Sequence, residues 1–125
     1  MGKKHIVIIE VTSTGLSAYV EGLLGVVTTG ADLSEIKSNM LEALTLYYED
    51  EPKTVSLSLT FRVDFKQFFQ YYSILNQKML ASKIGMDNTL MSQYIRGTKT
   101  PSEKQLQRIS LGIKRVGQEL AELHF

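Results

Sequence analysis

Asn76 to Pro101 reads NQKMLASKIGMDNTLMSQYIRGTKTP. Helical periodicity predicts a short helix from Asn76 to Ile84 with Met79, Leu80, Ala81 and Ile84 turned inward. Gly85 stops it, because a residue without Cβ accepts the positive φ that ends a helix. A second helix starts at once, capped by Asp87 or Asn88, either of which can accept the first free N–H groups. Met91, Tyr94 and Ile95 form its buried face, Gly97 ends it, and Asn88, Thr89, Ser92, Gln93 and Arg96 form its polar face. Two short helices across a tight glycine turn describe a helix-turn-helix.

The spacing of these residues resembles the Xre and phage-repressor family. The matching positions are Gln77 opening the first helix, Leu80-Ala81 in its middle, Gly85 in the turn, Arg96-Gly97 closing the second helix, and Pro101. The chain departs from the family's pattern at Ile95, where an acidic residue is common before the closing Arg-Gly. A more apolar inner face on the second helix follows from that departure.

Beyond Pro101, Ser102 is placed to cap a long helix in which Leu106, Ile109, Ile113, Val116, Leu120 and Leu123 recur at gaps of three and four, a heptad seam. Its first half is expected to close the helix-turn-helix core. Its second half, with Val116, Leu120 and Leu123, either forms a dimer contact or packs on its own chain. Gly112 and Gly117 each cost such a helix about 1 kcal/mol relative to Ala, which a close helix approach would offset.

Before Asn76 the pattern changes. His5 to Val11 is a β-branched run bounded by Thr12-Ser13-Thr14-Gly15, Leu16 to Glu21 is a second strand hairpinned to it, and Val26 to Thr29 is a third. Asp32 and Glu35 have capping-box spacing, and Leu33, Ile36, Met40, Ala43, Leu44 and Tyr47 share one helical face up to Glu49-Asp50-Glu51-Pro52. Val55, Leu57, Leu59, Phe61, Val63 and Phe65 then alternate with polar residues, the period of a strand buried on one side. Phe65, Phe68, Phe69 and Tyr72 return to helical spacing, as an aromatic core stripe opening a second module. The expected fold class is α+β: a small β-β-β-α-β N-terminal module, residues 1–62, followed by an all-α helix-turn-helix bundle, residues 63–125.

At 125 residues the chain has room for one ordinary domain or two very small ones, and modules that small are marginal alone, so self-association as a homodimer or tetramer is expected. The hydrophobic share of 43% is that of a globular protein, and no apolar run approaches the roughly 20 residues of a membrane span. No signal-peptide pattern follows Met1-Gly2-Lys3-Lys4, and there is no cysteine for a disulfide or thiolate metal site; a cytoplasmic location fits. The net charge of +1 hides an asymmetry: residues 1–60 hold four basic and eight acidic side chains, and residues 61–125 hold ten and five. From Lys66 to Arg115 only Asp87 and Glu103 oppose nine Lys and Arg. A basic half joined to an acidic half suits one polyanion-binding module and one module with a different, basic partner.

The stretches Ala18-Tyr19-Val20-Glu21-Gly22-Leu23-Leu24-Gly25-Val26-Val27-Thr28-Thr29-Gly30, Ser34-Glu35-Ile36 and Glu42-Ala43-Leu44-Thr45-Leu46-Tyr47 resemble the HicB antitoxin family. That family carries a similar aromatic-initiated strand, a Gly-x-x-x-x-Gly turn region and a Glu-Ala-Leu helix, often joined to a C-terminal DNA-binding domain. The resemblance implies a degenerate RNase H-like first module that blocks a small HicA-like mRNA interferase, and a second module that represses its own operon by binding operator double-stranded DNA.

Active RNase H-like enzymes cluster carboxylates around divalent metals. Here Glu35, Glu42 and Glu49 are spaced seven residues apart along a helix, about 10 Å per interval, too far to share an ion. His5 and His124 stand near the two ends without a nucleophile or ligand spacing. No phosphate loop, nucleophile elbow or zinc motif appears, so neither enzyme activity nor a cofactor is expected.

For duplex DNA the candidate residues are specific. Asn88 and Gln93 can bond an adenine edge, Thr89 a thymine methyl, and Arg96 a phosphate or guanine, with Ser92 on the same face. Gln77 is expected on a phosphate, while Lys78, Lys99 and Lys104 supply attraction that salt weakens. The alternatives are a stand-alone helix-turn-helix regulator and a dimeric interaction protein that does not bind DNA.

Overall fold

The computed structural model describes residues 2–51, 56–73 and 75–125. It is a mixed α+β protein with a four-stranded sheet and five helices among those residues. Two compact units divide the chain, Met1–Tyr71 and Tyr72–Phe125.

In the first unit, β1 (Gly2–Val11), β2 (Leu16–Val20) and β3 (Val27–Gly30) precede helix α1 (Leu33–Tyr47), strand β4 (Ser56–Val63) and helix α2 (Phe65–Tyr71). The sheet order is β3-β2-β1-β4. β1 and β2 form an antiparallel hairpin pairing Val7 with Val20, Ile9 with Ala18 and Val11 with Leu16, so one face of the hairpin is apolar throughout. α1 carries the chain to β4, which runs parallel to β1 and pairs Phe61 with Val7 and Leu59 with His5. Against that face lies the α1 stripe Ile36, Met40 and Leu44, spaced four residues apart and wholly buried.

Local chemistry sets the ends of α1. Asp32 Oδ1 accepts from the Glu35 N–H at 2.9 Å, and the helix stops at Tyr47, ahead of the acidic run. Tyr47 was expected inward but stands 51% exposed, because the last turn runs past the sheet contact made by Leu44. Its neighbour Tyr48 turns back instead: its hydroxyl lies 2.9 Å from His5 Nε2, and the two rings stack. Burial, and then the adjoining Tyr47 and Glu51, raise the Tyr48 phenol above the ordinary tyrosine value. His5, which looked partnerless in sequence, is therefore half-buried and bonded.

β4 keeps Leu57, Leu59 and Phe61 half-buried, but Val63 at its end is 38% exposed. Val55, expected to begin this strand, lies outside the described residues, and Phe65 belongs to α2. The aromatic helix was read as opening the second module. It packs instead on β1: the Val11 N–H donates to Gln67 Oε1 at 2.7 Å, and the Tyr71 hydroxyl donates to the Ala31 carbonyl at 2.9 Å. α2 lies within the first compact unit, which runs to Tyr71.

The second unit contains α3 (Gln77–Ile84), α4 (Asn88–Arg96) and α5 (Glu103–Glu122). Each has a side-chain cap: Asn76 Oδ1 accepts from Met79 N–H, Asp87 Oδ1 from Thr89 N–H, and Ser102 Oγ from Gln105 N–H. α3 packs against both α4 and α5. Among the described residues of this unit, the buried ones are Leu80, Ala81, Met86, Met91, Tyr94 and Ile109. Met79 was expected among them but is 58% exposed: a helix this short buries only the side carrying Leu80, Ala81 and Ile84. At Gly112 a Cβ would stand 2.4 Å from Ile84 Cγ1, so α5 approaches α3 as closely as only a glycine permits. No helix among the described residues is long and apolar enough to cross a membrane.

Candidate functional site

α3 ends in the left-handed region at Gly85, with φ 78°, and the chain spans only Met86 and Asp87 before α4 begins. Met86 is buried, which pins the turn from below, while its N–H donates to the Ala81 carbonyl at 2.8 Å. Asp87 is the cap of α4, and Asn88, the other candidate, is thereby left as its first helical residue, exposed.

At 100° per residue, Met91 and Tyr94 fall on one side of α4 and are buried, Met91 completely. Asn88, Thr89, Ser92, Gln93 and Arg96 fall on the other side. Asn88, Thr89 and Arg96 are exposed; Ser92 and Gln93 are half-buried. Five polar side chains thus share a helix face backed by an apolar one, with donors and acceptors of the kind that read base edges. Ile95 is half-buried on the margin between the two.

The loop after α4 is tied to it. The Gln93 carbonyl accepts from the Thr98 N–H at 3.0 Å, the Thr98 hydroxyl at 3.2 Å and the Lys99 N–H at 3.3 Å. Exposed Lys99 is therefore held at a fixed place beyond the C-terminus of α4. Gln77 is the first residue of α3 and half-buried, Lys78 beside it is exposed, and Lys104 is exposed in the first turn of α5. This unit carries eight Lys and Arg against four Asp and Glu, and only Lys83 is paired, with Glu119 at 3.2 Å, among the salt bridges of the described residues.

Sequence reasoning missed Arg108. Its Nη2 donates to the Gly85 carbonyl at 2.8 Å and to the Ile84 carbonyl at 3.3 Å, the open end of α3. Arg108 lies four residues before Gly112 on the stripe of α5 that faces α3, but that spacing does not point to backbone carbonyls as its partners.

On α5, Val116 is half-buried while Leu120 and Leu123 are 59% and 62% exposed, the latter just past the helix end. At Gly117 a Cβ would meet nothing within 4 Å, so packing within the chain does not explain a glycine there.

In the first unit the sheet face away from α1 carries a row across all four strands, Val27, Tyr19, Ile8 and Arg62, joined by backbone pairing. Val27 is 66% and Tyr19 41% exposed. Glu35 and Glu42 are exposed on α1, and among the described residues no three His, Asp or Glu come together as metal ligands would. No protein-family model, curated protein or solved structure matches the chain.

Proposed function

We propose that the protein is a duplex DNA-binding repressor of the antitoxin kind, in which α3 and α4 act as a helix-turn-helix and the first unit holds a basic protein partner. The observation that carries the DNA reading is the sidedness of α4: two buried anchors, Met91 and Tyr94, behind a polar row of Asn88, Thr89, Ser92, Gln93 and Arg96. The basic excess of the same unit supplies the attraction to phosphate that any duplex binder needs. In this reading Asn88 and Gln93 read bases, Arg96 meets a base or phosphate, and Gln77, Lys78, Lys99 and Lys104 meet the backbone.

Lys99→Ala should weaken binding to every duplex alike and lower the salt slope by about one, while Gln93→Ala should reduce the preference for the operator over random DNA. Fluorescence anisotropy at several salt concentrations separates the two. Variants indistinguishable from wild type on both duplexes would remove this face from consideration.

The partner of the first unit is proposed from charge: Met1–Tyr71 holds six Lys and Arg against nine Asp and Glu, which suits a basic protein such as an RNA-cleaving HicA-like toxin. The chain itself acts without a cofactor in this reading, as a binder and not an enzyme. Repressors of two-fold operators are dimers, and the exposed seam of α5 is the proposed contact with a second copy, through Val116, Leu120 and Leu123. A partner helix close to Gly117 would account for the side chain missing there. Leu120→Glu should shift the protein to monomer in sedimentation and reduce operator affinity; a variant that sediments as wild type would exclude this seam.

A further inference from the structure

The joint between α3 and α4 is gripped from outside by a third helix. Helix C-termini leave carbonyl groups without intrahelical partners and carry the negative end of the helix dipole. At the end of α3, the Ala81 carbonyl accepts from Met86 N–H and the Ser82 carbonyl from Gly85 N–H. The Ile84 and Gly85 carbonyls are met by Arg108 of α5, at 3.3 and 2.8 Å from the same guanidinium nitrogen. One turn further along α5, Gly112 admits the Ile84 side chain to within 2.4 Å of where a Cβ would lie. One residue of α3 is thus held on its carbonyl by Arg108 and on its side chain by the notch at Gly112.

The grip falls on the hinge of the pair. Gly85 has the backbone freedom to swing α4, and between it and the Asp87 cap only buried Met86 restrains the chain from within. We infer that Arg108 is a positioning residue for duplex binding: it acts through the Ile84 and Gly85 carbonyls to hold the polar face of α4 at its working angle, without itself touching DNA. This rests on the duplex-binding reading of α4. Arginine suits the task because the two N–H groups on Nη2 are fixed in the guanidinium plane and meet the two acceptors together, whereas a lysine ammonium is a point charge on a flexible stem.

The test uses the full chain and a duplex selected by the wild-type protein from a random-sequence pool. Arg108→Met keeps most of the stem and removes the donors; Arg108→Lys keeps the charge and removes the planar, fixed N–H pair. Circular dichroism at the assay temperature reports folding, and anisotropy at several salt concentrations reports affinity. Arg108→Met should remain folded and lose about tenfold in affinity for the selected duplex as α4 leaves its working angle, with the salt slope unchanged. Arg108→Lys should recover only a minor part of that loss, and it carries the test by itself if the methionine variant does not fold.

Wild-type affinity in the folded Met variant overturns the inference, since the grip would then serve stability alone. A salt slope lowered by about 0.9 in the Met variant, with full recovery in the Lys variant, overturns it too, because that is the signature of a phosphate contact. A wild-type protein that selects no duplex overturns the reading of α4 itself and is recognised before any variant is made.

Discussion

Replacing Leu44 with alanine should lower the unfolding free energy of the protein's sheet-containing unit by about 2–5 kcal/mol, a large share of the stability of a small domain. Leu44 is wholly buried with Ile36 and Met40, and with them forms the α1 side of the core against Val7, Ala18 and Val20. The change removes three carbon atoms per side chain and leaves a cavity between a helix and a sheet that cannot easily collapse. Both sides of the gap are fixed, α1 by its Asp32 cap and β1 by strands on each flank. Urea unfolding followed by circular dichroism should show a lower midpoint with an unchanged slope. A midpoint within error of wild type would mean that the helix does not lie on this face.

Ile109→Ala should have an effect of the same size, about 2–5 kcal/mol, on a unit with less stability to lose. Tyr72–Phe125 is short, and chains of this size bury too little surface to be more than marginal. Ile109 is 1% exposed, on the helix that packs against α3, and it is the one buried residue that α5 contributes. Amide hydrogen exchange should show protection falling across α3, α4 and α5 while β1, β2 and α1 keep theirs. The proposed duplex binding should be lost with it. Unchanged protection in α3, α4 and α5 would contradict the place of Ile109 in their core, and binding unaffected by the change would separate duplex recognition from this core.

The elements most legible in the sequence are those whose side chains answer to a single neighbour. α1 shows its stripe at Ile36, Met40 and Leu44 because one sheet face lies under it, and the β1–β2 hairpin shows apolar residues at Val7, Ile9 and Val11 for the same reason. Glycine at 85 and 97 marked two helix ends, since both take the left-handed conformation that few other residues accept. Periodicity fails where an element runs past its neighbour. Tyr47 continues an apolar pattern beyond the partner that would bury it, Val63 is exposed although it pairs with Ile9, and Met79 lies on a helix of barely two turns.

The place of α2 in the first unit is hidden for a different reason. Its Phe65, Phe68 and Phe69 spacing says that it is a packed helix, but the bonds of Gln67 to Val11 and of Tyr71 to Ala31 span more than half the first unit and leave no local trace. Most of the candidate site was legible, because the polar row and buried anchors of α4 alternate within nine residues. Arg108 was not, because its partners are backbone carbonyls, which every residue has.

The most direct test of duplex recognition by α4 is the affinity of the full chain for labelled double-stranded DNA as a function of salt. The logarithm of the association constant should fall linearly with the logarithm of salt concentration, with a slope of about −0.9 for each phosphate neutralised, so that several contacts by Lys78, Arg96, Lys99 and Lys104 give a steep loss. No binding at low salt, or an affinity indifferent to salt, would contradict it.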